Sequence, residues 1–85
     1  NKMAITDTNI TLVGNAPQDI LLGDSSSFIV QNISNCTVRF KVKGSSVEHG
    51  GVLSPNESFS FAHDITVCAN ISLNTISSLL YVIRD

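Results

Sequence analysis

Three residues near the end of the chain carry the groups of a cysteine nucleophile: His63, Asp64 and Cys68. An imidazole that is oriented by a carboxylate can activate a thiol for nucleophilic attack. The three groups must converge in space for this chemistry, and residues this close in sequence at the edge of a strand converge only by accident. We therefore predict that the protein is not an enzyme and has no catalytic residues.

Metal and cofactor chemistry is not indicated either. Cys36 and Cys68 lack the CxxC spacing of zinc sites, and His49 stands beside two glycines in a predicted loop. The seven acidic residues are scattered over turn positions, without the closely spaced oxygen ligands of a calcium loop. The sequence predicts no metal ligand and no cofactor.

The chain has one basic cluster, formed by Arg39, Lys41 and Lys43. These cations alternate with apolar residues from Cys36 to Lys43, and a period of two is the pattern of a half-buried β-strand. The three cations then share the outward face of that strand. This face is either simply solvated or a contact surface for an acidic partner.

The same alternation separates the two cysteines. Cys36 falls on the apolar face with Val38, whereas Cys68 shares a polar face with Thr66. Their Cβ atoms would point in different directions, so we predict that they form no disulfide. A reducing, intracellular place of synthesis follows from this interpretation.

Alternating segments bounded by turn residues predict an all-β fold, a small antiparallel β-sandwich or barrel of about seven short strands. No segment has apolar residues at the spacing of a helix. The predicted strands are 9–13, 18–22, 27–33, 36–43, 58–62, 65–73 and 78–84.

Turn residues predict how two pairs of strands are connected. Ser34 and Asn35 form a short connection that predicts a hairpin between the third and fourth strands. Pro55 suits the first central position of a turn, and Asn56 tolerates the left-handed conformation at the second.

Side-chain parity predicts the inward faces and one unusual strand. Four predicted strands each have one row of alternating apolar residues that should face inward: Phe28 and Val30, Val38 to Val42, Phe59 and Phe61, and Ile65 to Ile71. The last strand is apolar on both faces from Leu79 to Ile83, so it is either central or covered by another chain. We take Leu79, Tyr81 and Ile83 as candidate partner contacts and expect a homo-oligomer.

The 85 residues predict a single domain over 1–85, with residues 1–8 as an extended arm or in part as vector-derived residues before Met3. The formal net charge of −2 argues against nucleic-acid binding. No apolar run approaches the ~18 residues needed to span a bilayer, so no membrane interaction is expected.

Four segments resemble the small all-β virion proteins of tailed bacteriophages, of the head decoration and head-fibre type. They are Val30–Ser34, Thr37–Phe40, Gly50–Ser58 and Ser78–Arg84. In those proteins a Q-N-x-S hairpin precedes a G-x-x-L-x-P-G-E-S segment and a final valine-rich strand. This chain has Asn56 where the pattern has glycine. The resemblance implies a multimeric binding module without catalytic residues.

We therefore expect a non-enzymatic structural virion component that is synthesised in the host cytoplasm. It would bind the major capsid protein or another virion protein and decorate or stabilise the particle. The alternative is a carbohydrate- or protein-binding β-sandwich module of a larger fibre or secreted protein, which would need exposed aromatic side chains.

Overall fold

The computed structural model describes residues 5–13, 16–48, 50–69 and 77–85, which form eight β-strands and no helix. The strands make two four-stranded antiparallel sheets, so the predicted all-β class and the β-sandwich architecture are confirmed. Their bounds are β1 Thr6–Val13, β2 Gln18–Ile20, β3 Phe28–Asn32, β4 Val38–Val42, β5 Gly51–Leu53, β6 Ser58–Phe61, β7 Ile65–Ala69 and β8 Ser77–Arg84.

Sheet A has the strand order β1-β8-β3-β6, and sheet B has the order β2-β7-β4-β5. The last strand, β8, is therefore central in sheet A, which is one of the two positions predicted from its apolar faces. β1 begins at Thr6, so residues 6–8 belong to a strand rather than to an arm. Residues 1–4 lie outside the described residues, as do Ile71 and the rest of the predicted extension of β7.

Alternate residues of the central strands form the core between the sheets. The inward parity predicted for β3 and β7 is confirmed, because every second residue from Phe28 and from Ile65 is buried. Val42 and Phe59 lie on the predicted inward row, opposite the buried Ile65 and Val30, but they are 52% and 45% exposed. Val42 ends β4, and Phe59 lies on the edge strand β6, where the opposite sheet does not cover it fully.

The predicted hairpin between β3 and β4 was also wrong. β3 already pairs with β8 and β6, so it has no open edge for β4, and the chain instead crosses to sheet B. The buried side chain of Asn32 fastens this crossing, since its Nδ2 donates to the Cys36 carbonyl at 2.7 Å and the Leu53 carbonyl at 3.0 Å. Its Oδ1 accepts from the Ser34 amide at 3.0 Å. The same kind of short polar connection can therefore form either an arch between two sheets or a hairpin within one sheet.

The turn at Ser54–Glu57 has the predicted geometry. Asn56 has φ 72°, and the Glu57 amide donates to the Ser54 carbonyl at 3.0 Å, as in a type II turn with Pro55 at its first central position. The Glu57 side chain closes the turn by accepting from the Ser54 amide at 2.8 Å. The turn connects β5 to β6 and therefore sheet B to sheet A.

β5 is the strand that the sequence prediction missed, because its glycine was taken for a break. Gly51 lies opposite Phe40 of β4, and the Phe40 ring occupies the space that a side chain at Gly51 would need. An aromatic ring laid over a glycine in the neighbouring strand is a known way to pack a sheet edge.

Candidate docking surfaces

The outer face of sheet A contains the predicted contacts Leu79, Tyr81 and Ile83. Along β8 they alternate with Leu80 and Val82, which are fully buried in the core. Because successive side chains of a strand point to opposite sides, the three residues face away from sheet B. They are half-buried, since β1 and β3 flank β8 on both sides.

β3 and the residue that follows it add two apolar side chains to this face. Ile29 lies opposite Ile83 in the register, and the Ile33 amide donates to the Leu79 carbonyl at 3.1 Å. Ile29 is 44% exposed and Ile33 is 41% exposed. We call these five residues the apolar stripe: Ile29, Ile33, Leu79, Tyr81 and Ile83.

Polar residues border the apolar stripe on both sides. On β1, Asp7, Asn9 and Thr11 lie opposite Ile83, Tyr81 and Leu79. On β6, Ser58 and Ser60 lie opposite Gln31 and Ile29. An apolar centre with a polar rim is the usual anatomy of a protein-binding surface.

Tyr81 is the polar member of the apolar stripe. Its hydroxyl donates to Asp7 Oδ2 at 2.7 Å. This hydrogen bond, with smaller contributions from desolvation and from the Asp7 charge, raises the pKa of Tyr81 above its ordinary value of 10.0. The contact ties β1 to β8 on the outer face and fixes the orientation of the ring.

The predicted cationic face lies on the outer side of sheet B. Lys41 Nζ donates to the Ser45 carbonyl at 3.1 Å and to the Val47 carbonyl at 3.4 Å, so it closes the β4–β5 connection. Lys43 Nζ lies 4.0 Å from a carboxylate oxygen of Asp19. Lys41 and Lys43 are therefore engaged within the chain, which reduces the charge they offer to an acidic partner.

The six predicted contact residues do not form one surface. Arg39 and Lys41 belong to β4 of sheet B, and Lys43 follows directly after it, whereas Leu79, Tyr81 and Ile83 belong to sheet A. Both groups alternate with core residues and face away from the core, so they lie on opposite sides of the sandwich. A single flat partner can contact only one of the two groups.

Aromatic rings line a cleft at the side of the sandwich where β5 and β6 are the edge strands. Phe40 packs edge-on against Phe59 and Phe61, with ring centroids 5.4 and 5.1 Å apart, and His63 packs edge-on against Phe61 at 6.0 Å. A cleft of about 300 Å³ adjoins Phe40, Phe61 and His63, with Val47 and Lys41 also in its wall. Its surface is mostly apolar.

The structure does not bring the three candidate catalytic residues together. Asp64 precedes β7 and accepts a hydrogen bond from the Leu22 amide at 2.7 Å, while His63 Nδ1 lies 3.1 Å from the Asp64 carbonyl oxygen. Cys68 lies near the other end of β7, opposite Arg39 and roughly 13 Å along the strand from Asp64 at about 3.3 Å per residue. His63 and Cys68 therefore form no nucleophile and base pair, and His49 lies outside the described residues.

The two cysteines are not joined by a disulfide, as predicted from their parity. Within residues 5–13, 16–48, 50–69 and 77–85, no three His, Cys, Asp or Glu side chains are grouped so as to hold a metal ion. The same part of the chain contains no helix long and apolar enough to cross a membrane.

Sequence reasoning missed Ile29 and Ile33 of the apolar stripe, although a signal was present. Phe28, Ile29 and Val30 are consecutive apolar residues, which is the same two-faced pattern that drew attention to β8. It also missed the buried role of Asn32, which the sequence alone does not distinguish from a turn asparagine.

No protein-family model matches the sequence, and no curated protein is significantly similar to it.

Proposed function

We propose that the chain is a non-enzymatic structural component of a virion, which docks on the major capsid protein or another virion protein. The observation that carries this proposal is the apolar stripe on the outer face of sheet A. Burial of exposed apolar side chains is the main driving force of protein association. The resemblance of four strand and turn segments to phage head proteins supports the identity of the partner.

The geometry favours sheet A over sheet B as the docking face. In the apolar stripe, Ile29 and Ile83 form an apolar cross-strand pair, and Leu79 lies beside Ile33. On sheet B the corresponding row contains Thr66 and the cations Arg39 and Lys41, and Lys41 is already bound to carbonyl groups within the chain. The stripe therefore offers the larger gain on burial.

Add-back to particles tests the proposal. Virus particles assembled without this chain are mixed with the purified protein, and bound copies are counted by quantitative mass spectrometry. We expect saturable binding at a fixed copy number. The variant Ile29→Thr/Ile83→Thr keeps β-branched residues in the strands but removes apolar surface, so it should bind at least about tenfold more weakly.

Val52→Thr is the matched control, because Val52 is exposed on β5 of sheet B. It should bind like the unmodified chain. If the Ile29→Thr/Ile83→Thr variant binds normally and Arg39→Glu/Lys41→Glu does not, the docking face is on sheet B. Absence of saturable binding would contradict the virion assignment.

The exposed ring of Phe59 favours one second candidate, a binding module for small apolar or sugar rings. Phe59 packs against Phe40 next to the 300 Å³ cleft, so Phe59→Ala would remove part of an aromatic platform. Binding on a glycan array that Phe59→Ala abolishes and Tyr81→Ala preserves would favour this function.

A further inference from the structure

β1 presents the longest open strand edge in the described part of the chain. It has eight residues, and among the described strands it pairs only with β8. The other edge strands are much shorter, with four residues in β6 and three each in β2 and β5. Short edge strands are one way in which proteins prevent strand addition, and β1 lacks this protection.

The register identifies the backbone groups on this edge. The Ile33 amide bonds to Leu79, so the odd-numbered residues of β8 bond to β3 and the even-numbered ones bond to β1. Their partners on β1 are Thr6, Thr8 and Ile10. The N–H and C=O groups of Asp7, Asn9 and Thr11 therefore point away from β8 towards the open edge.

The side chains of β1 do not block this edge. The strand contains no proline, lysine or arginine, and its one charged residue is Asp7. The Asp7 carboxylate is turned towards β8 by its hydrogen bond from Tyr81. Thr6 and Thr8 are exposed although their parity is inward, so sheet B does not cover this half of the strand.

We propose that β1 pairs antiparallel with β1 of a second copy of the chain, across a two-fold axis near Asn9 or Ile10. Either register brings the outward N–H and C=O groups of the two strands together and keeps the two Asp7 carboxylates at opposite ends of the ladder. Pairing β1 with β1 of a second copy uses the open edge of both chains, so the assembly stops at a dimer. Pairing it with β6 of another copy would leave open edges and produce filaments.

This inference rests on the proposed function and says how two copies of the chain associate in it. A two-fold axis perpendicular to the sheet turns the outer face of each sheet A to the same side. The two apolar stripes would then face one partner surface, and two linked contacts bind more tightly than one.

Proline substitution tests the pairing, because proline removes one N–H and is tolerated at an edge. Asn9→Pro removes an outward N–H from β1 in each copy. Ser60→Pro is the matched control, since Phe59 and Phe61 of β6 bond to β3 and the Ser60 N–H points outward. By sedimentation velocity we expect a dimer for the unmodified chain and for Ser60→Pro, and at least a tenfold higher dimer Kd for Asn9→Pro.

Amide hydrogen exchange of the unmodified chain supplies a second measurement that needs no variant. Exchange at Asn9 and Thr11 should slow as the protein concentration rises, while exchange at Ser60 should not change. The β1 interface is overturned, and self-association left intact, if Asn9→Pro still forms a dimer and exchange at Asn9 of the unmodified chain does not depend on concentration. Dissociation of the dimer by Ser60→Pro has the same meaning. A monomer at every concentration overturns both, and binding to particles still tests docking separately.

Discussion

The inner and outer rows of sheet A are built from the same strands but have different surroundings. The inner residues Val30, Leu80 and Val82 are fully buried, and the one buried polar side chain among the described residues, Asn32, has its amide group bonded to its neighbours. The outer row contains exposed Ile29 and the other residues of the apolar stripe. The free energy of unfolding therefore depends mainly on the inner row, while the outer row is available for contact with a partner. The same substitution should therefore cost much stability at an inward position and little at an outward one.

Asn32→Ala should give the largest loss of stability. It removes the donor of the Leu53 carbonyl, one of two donors of the Cys36 carbonyl, which keeps Ser34 Oγ at 3.4 Å, and the acceptor of the Ser34 amide. A buried group that loses its partner, here the Leu53 carbonyl, costs about 1–3 kcal/mol, and the partly buried Cys36 and Ser34 groups add less. We therefore expect a loss of about 3 kcal/mol in urea unfolding.

Asn35→Ala is the matched control, because Asn35 lies in the same arch and is exposed. It should change the free energy of unfolding by less than about 0.5 kcal/mol. Equal losses for the two variants would mean that the inner row is not where the arch is stabilised.

Gly51→Ala tests the inner row of sheet B. Its Cβ would lie 2.6 Å from Phe40 Cε1, which is too close for unbonded carbon atoms. Because Phe40 also packs against Phe59 and Phe61, its ring cannot move away without cost. We expect a loss of about 2 kcal/mol in urea unfolding, as is usual for overpacking.

Phe40→Leu provides the test of this cause. If the steric explanation is correct, Gly51→Ala should cost less in a Phe40→Leu background than in the unmodified chain. Equal costs in both backgrounds would assign the effect to the backbone instead.

Two valine-to-threonine substitutions compare a buried with an exposed position, because threonine has nearly the same shape as valine. Val82→Thr places a hydroxyl in the core and should lower the free energy of unfolding by about 1–2 kcal/mol. Val52→Thr places the same hydroxyl in water on sheet B and should stay within about 0.5 kcal/mol. Thermal unfolding of the two variants in parallel measures the difference, and similar Tm values would contradict the separation of roles.

The sequence predicted the parts of this fold that depend on local pattern. Period-two alternation identified β7, and proline followed by asparagine identified the turn at Pro55 and Asn56. The crossing after Asn32 could not be predicted, because the same polar connection suits a hairpin or an arch, and only the neighbours of β3 decide between them. β5 was missed since the ring that makes Gly51 acceptable comes from another strand.

The candidate site was predictable to a similar extent. The two apolar faces of β8 pointed to Leu79, Tyr81 and Ile83, but the contribution of Ile29 depends on β3 lying beside β8. The cations of β4 were placed on an outward face, whereas the carbonyl groups that bind Lys41 belong to a connection whose course the alternation does not specify. The alternation along a strand predicts which face a residue lies on, but its neighbours depend on how the strands pair in the folded chain.

The smallest expected effect concerns the hydrogen bond between Tyr81 and Asp7 on the outer row. Because this bond holds the proton on Tyr81, the folded chain keeps it to a higher pH than the unfolded chain does, and the bond's contribution to stability is lost as the pH rises above 10. Tyr81 is the one tyrosine of the chain, so the ultraviolet absorbance of its phenolate reports its titration directly. We expect a pKa above 10.0 in the unmodified chain and a lower one in Asp7→Asn, with little change in Tm at neutral pH. Identical titration curves of Tyr81 in the two proteins would show that Asp7 does not hold the ring. A large loss of Tm in Asp7→Asn would show that this outer contact matters as much for stability as the contacts of the inner row.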